Sequence, residues 1–123
     1  SLKALEFRPD IVEACINIGI AFSQKGILDQ AQKSFEKAIA IDPKSAIAHL
    51  NLANIYLASG DFTKAIEHNS YAVQSKPEFG MAHNNLAVAY FQNNEIEKAR
   101  THAHQASSLG YKVNPEFLKQ LDN

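Results

Sequence analysis

Three stretches decide the reading of this chain: "CINIGIAFSQKGILDQAQ" (15–32), "HLNLANIYLASGDFTKAI" (49–66) and "HNNLAVAYFQNNEIEKAR" (83–100), each 34 positions after the last. The register holds residue by residue. Ile18, Leu52 and Leu86 recur, followed by Gly19, Ala53 and Ala87, then Phe22, Tyr56 and Tyr90. Ala31, Ala65 and Ala99 keep step, as do Ala38, Ala72 and Ala106, and Gly26, Gly60 and Asn94. Outward from these stretches, Pro9, Pro43 and Pro77 repeat at the same interval. Self-similarity at such a period marks stacked supersecondary units.

Each recurrence has a physical reading. Leu52 and Tyr56 are four apart and share a helical face. Gly19, Ala53 and Ala87 are small enough to admit a neighbouring helix. The alanines seven apart make a narrow face on a second helix. Gly26, Gly60 and Asn94 best tolerate the left-handed conformation that ends a helix, and the prolines stop the second helix. Each period is therefore helix A, tight turn, helix B. The A helices are expected at 10–24, 44–58 and 78–92, the B helices at 28–41, 62–75 and 96–109. No strand pattern is present, so the fold class is all-α.

Composition narrows function. The chain has 123 residues, is 46% hydrophobic and 20% charged, and has a net charge of −1. Nucleic acid is not expected as a partner, because phosphate binding wants a clustered basic surface. No apolar run is long enough to span a membrane. One cysteine, Cys15, forbids an internal disulfide and slightly favours a cytoplasmic setting without excluding others.

Period, small residues, aromatic, alanines and closing proline together resemble the tetratricopeptide repeat (TPR) family. The resemblance implies an α-solenoid, a right-handed superhelix of antiparallel helix pairs. It places repeat units at 12–45, 46–79 and 80–113. Residues 1–9 align with the end of a preceding helix B, so the chain is expected to be a fragment of a longer array. Residues 114–123 read as a capping helix, with Asn114 as N-cap, Pro115 in the first turn and Phe117, Leu118 and Leu121 as its apolar stripe. The departures are local. Cys15, His49 and His83 stand where the family has a large packing residue. The helix B aromatic survives only as Phe35, becoming Asn69 and Ala103, so helices B of units two and three are expected to pack less tightly. Tyr111 replaces the third proline.

No catalytic constellation stands out: there is no phosphate loop and no serine elbow. The protein is not expected to be an enzyme or to need a cofactor. Metal binding is not expected either. His49 and His83 fit a packing role, His102 and His104 point to different sides of one helix, and His68 and His102 read as solvated surface groups. Glu95, Glu97, Lys98 and Arg100 read as an ordinary solvated helix start.

Function is then expected from surface shape. The resemblance implies a concave groove lined by helices A, with Glu13, Ile16, Asn17, Ile20, Ser23 and Gln24 contributed by unit one. Unit two offers Ile47, Leu50, Asn51, Asn54, Leu57 and Ala58. Unit three offers Met81, Asn84, Asn85, Val88, Phe91 and Gln92. Asn17, Asn51 and Asn85 recur in register, and an amide both donates and accepts. Such a row is similar to the asparagine ladder in the TPR superhelix of O-linked N-acetylglucosamine transferases. The apolar groove residues suit a hydrophobic or amphipathic segment. The carboxylate clamp of heat-shock co-chaperones is not expected, because Ile16, Met81 and Asn85 stand where its cations belong. The expected role is a protein-binding scaffold that takes an extended peptide or amphipathic helix. The alternatives are self-assembly through an exposed N-terminal edge, with Leu2, Leu5 and Phe7 uncovered, and a docking segment of a larger enzyme such as a glycosyltransferase.

Overall fold

The computed structural model describes residues 8–122. Seven helices follow one another: α1 (Pro9–Gln24), α2 (Leu28–Ile41), α3 (Ala46–Ser59), α4 (Phe62–Ser75), α5 (Gly80–Gln92), α6 (Ile96–Ser108) and α7 (Pro115–Asp122). The six paired helices lie within two residues of the spans expected from sequence. Residues 1–7, with the expected end of a preceding helix B, lie outside the described residues. Pro9 falls on the other side of that expected boundary and opens α1, a position where its missing N–H costs nothing.

The turns inside each unit share one mechanism. Gly26, Gly60 and Asn94 take φ of 78, 80 and 66°. The following residue then donates back across the helix end: Ile27 to Phe22, Asp61 to Tyr56, Glu95 to Tyr90, at 2.8–2.9 Å. That satisfies a carbonyl the helix would otherwise leave open. Between units, Asp42 and Lys76 are extended (φ −131 and −141°), as a residue before proline must be. Where Tyr111 replaces proline, Gly110 (φ 90°) ends α6, and Tyr111 donates to the Ala106 carbonyl.

Helices stack in sequence order, and α1 meets α3 and α3 meets α5 directly. The A helices thus form the inner layer of a right-handed α-solenoid. The alanines of α2, α4 and α6 are fully buried, as are Leu52 and Leu86. In unit one the A–B joint is tight: a Cβ on Gly19 would sit 2.5 Å from the Phe35 ring. By register, Ala53 faces the place of Asn69, and Ala87 that of Ala103. Small-to-large on helix A thus accompanies large-to-small on helix B, and Asn69 and Ala103 are as buried as Phe35. Asn69 is buried at a cost, because neither Nδ2 nor Oδ1 meets a hydrogen-bond partner in the protein.

At the far end, Asn114 Oδ1 accepts from Glu116 N at 2.8 Å and caps α7. Leu121 is buried, with Phe117 and Leu118 against the same cluster as Ala87, Ala99 and Ala103. Arg100, expected to be solvated, is half-buried. Its Nε and Nη2 donate to the Leu121 carbonyl at 3.1 and 2.6 Å, fastening the end of α7 to α6.

Candidate peptide-binding groove

An open cleft of about 420 Å³ lies between α1 and the start of α3. It brings together four expected groove residues, Glu13, Ile16, Asn17 and Ile20, with Ile47 of unit two. Pro9, Val12, Asp42 and Ser45 complete it. The last two belong to the inter-unit linker, which a helix-only reading passes over. The cleft carries the carboxylates of Glu13 and Asp42, and no lysine or arginine is among its described lining residues.

Farther along, the amides are not three equal free groups. Asn17 is exposed. Asn51 Nδ2 donates to the Ile47 carbonyl of its own helix at 2.9 Å. Asn85 Nδ2 donates to Asn54 Oδ1 at 2.9 Å, joining α5 to α3 across the inner layer. The pair leaves the Asn54 N–H donors and the Asn85 carbonyl oxygen for a further partner. Met81 is exposed, and Asn84 and Val88 are half-buried.

Two expected groove residues belong elsewhere. Leu50 is only 4% exposed and packs with Ala72 and Ala82 at the joint of units two and three. It faces α4 and α5, so it is core. Phe91 meets Phe117 edge-on, with centroids 5.5 Å apart. The cap helix thereby occupies the last groove position.

The histidines also differ from expectation. His49 and His83 are buried, as a packing role requires, but His68 and His102 are not solvated surface groups. His49 Nδ1 lies 3.1 Å from His68 Nδ1, and His83 Nδ1 lies 3.1 Å from His102 Nδ1. Burial lowers the pKa of both His68 and His102, and the facing imidazole lowers each further. The partners are nineteen residues apart, the spacing that crosses the hairpin from helix A to helix B. Among the described residues no three His, Cys, Asp or Glu side chains converge to hold a metal.

Two other clefts, of about 430 and 410 Å³, flank Pro77 and Pro43 on the outside of the array. Volume therefore does not single out the groove; the paired amides and the apolar inner face do.

Several solved structures share this architecture. The first TPR of Spaghetti (RPAP3), bound to the HSP90 peptide SRMEEVD, superposes with a TM-score of 0.89 at 19% identity, covering 95% of this chain and 94% of that one. The Sgt2 TPR domain of Aspergillus fumigatus gives 0.86 at 21% identity, over 96% and 80%. The N-terminal domain of stress-induced protein-1 from C. elegans gives 0.78 at 22%, over 92% and 93%. In sequence, the type IV pilus assembly protein PilF of Pseudomonas aeruginosa is 38% identical over 55 residues, 45% of this chain and 22% of that protein. Tetratricopeptide-repeat family models match residues 16–78 and 56–112, and with the stacked helix pairs and their inner groove the chain belongs to the tetratricopeptide repeat family.

Proposed function

We propose that this chain is a non-catalytic protein-interaction module that holds an extended segment of a partner polypeptide along its concave face. The observation that carries this reading is the Asn54–Asn85 bridge. It fixes two amides side by side on the inner layer, with a donor and an acceptor left to pair with one peptide group of a ligand. Backbone pairing of that kind gives affinity without sequence choice. The neighbouring cleft with Ile16, Ile20 and Ile47 then supplies side-chain preference. Its Glu13 and Asp42 carboxylates oppose an acidic ligand and suit a neutral or basic segment. The HSP90 peptide held by Spaghetti is acidic, and the clamp cations are absent here, so that ligand class is not carried over.

A random peptide library displayed on phage, selected on the protein and counter-screened on an Asn54→Ala, Asn85→Ala variant, tests this. Peptides that lose about tenfold or more in affinity for the variant support the reading. Peptides that bind both forms alike overturn it.

A second reading, self-assembly through the N-terminal edge, rests on one observation. Ile18 is 51% exposed, whereas its register mates Leu52 and Leu86 are 1% exposed under the preceding unit. Light scattering across a dilution series tests it: a constant monomer mass rules it out.

A further inference from the structure

The two histidine pairs form a repeated device that packing alone does not require. In unit two, His49 Nε2 donates to the Pro43 carbonyl at 2.8 Å. A carbonyl only accepts, so that nitrogen carries the proton and Nδ1 of neutral His49 is a lone pair. His68 Nδ1–H therefore donates to it. Unit three repeats the arrangement with His83, the Pro77 carbonyl and His102. In each unit the helix B imidazole lies nearly parallel to a helix A tyrosine: Tyr56 with His68 and Tyr90 with His102, both with centroids 5.6 Å apart. A lysine covers each tyrosine ring, Lys64 at 5.4 Å and Lys98 at 5.6 Å. Unit one has Cys15, Ser34 and Phe22 at the matching positions and no such group.

We propose that the histidine pairs are acid-sensitive latches that hold helix B to helix A in units two and three and release on acidification, while unit one stays closed. The geometry sets the limit. One Nδ1 proton bridges each pair, and a second makes two N–H groups face each other, so the bond is lost. The second charge would also sit in the first turn of α3 or α5, at the positive end of the helix dipole, with a lysine nearby.

The two latches are not equal. Around His68 stand His49 and Tyr56 from α3, Lys64, Glu67 and Tyr71 from α4, and Glu36 from α2. Both carboxylates favour a charged imidazole, against burial and the His49 charge. His102 meets His83 and Tyr90 from α5 and the Gln105 side chain from its own helix, with no carboxylate among its described influences. The unit-three latch resists charge more and opens at a smaller excess of protons over the folded pair. His104, exposed beside Asp122 at 3.7 Å, is a built-in control outside both pairs.

The test is amide hydrogen exchange on the full chain from pH 7.5 to 4.5, corrected for intrinsic rates, with imidazole nitrogen shifts recorded in parallel. Protection in α4 and α6 falls below about pH 6.5 while α2 keeps its protection, and His68 and His102 titrate below His104. A variant carrying the unit-one residues, His49→Cys with His68→Ser and His83→Cys with His102→Ser, loses the differential. Equal loss in α2, α4 and α6, or His68 and His102 titrating with His104, overturns the proposal. The wild-type comparison of α2 with α4 and α6 stands even if the variant does not fold.

Discussion

Unit one and units two and three close the same joint with different chemistry. Unit one fills it with hydrocarbon: the Phe35 ring lies on the bare backbone of Gly19, and Cys15 is a small buried hydrophobe. Units two and three put an alanine in place of the glycine, give up the ring for Asn69 or Ala103, and tie the joint with paired imidazoles. Hydrocarbon closure is indifferent to pH. The imidazole closure depends on protonation, and Asn69 adds an unpartnered amide. A repeat fold tolerates both because each joint is nearly independent of the next.

The largest break of this contrast is Phe35→Ala. It empties the unit-one joint and should cost about 3–5 kcal/mol in urea unfolding; a cost below about 1 kcal/mol would mean the ring is not the keystone. Gly19→Ala should cost about 1–3 kcal/mol by overpacking against that ring. Combined with Phe35→Ala it recreates the Ala87–Ala103 pair of unit three, so the two costs should not add. Additive costs would refute the pairing. In the opposite direction, Asn69→Leu keeps the volume close, removes the orphaned amide and should stabilise by about 1–2 kcal/mol. Loss of stability would show that the amide is satisfied. Asn114→Ala removes the cap of α7 and should cost about 1 kcal/mol, with raised exchange confined to α7. Smallest near neutrality is the effect of pH. Burial, then the facing imidazole, holds the folded pKa of His68 and His102 below the usual 6.5, so the unfolded chain binds more protons in acid. Stability from these groups is complete above about pH 6.5 and lost as pH falls toward their folded values. A Tm that rises between pH 7 and pH 5.5 would contradict the sign.

The period, the turn residues and the prolines made the helices legible, because each acts locally on the backbone. The alanine faces were legible for the same reason. The groove was only partly so. A helices are apolar on several sides, and pattern alone does not tell Leu50, turned into the joint with Ala72 and Ala82, from Ile16, which borders the cleft. Phe91 depends on where α7 lands, a tertiary fact. Arg100 serves a backbone carbonyl, and that acceptor leaves no trace in side-chain identity. The histidine pairs did carry a signal. His49 with His68 and His83 with His102 repeat the nineteen-residue step that crosses the hairpin. Reading helix B by itself hides that step.

The most direct test of the concave face as the ligand site is chemical-shift mapping with the peptides the phage selection yields. Binding in the groove predicts perturbations concentrated on Asn17, Ile20, Asn54 and Asn85, with α2, α4 and α6 largely unmoved. Perturbations confined to the outer helices or to Ile18 and Phe22 at the N-terminal edge would contradict it.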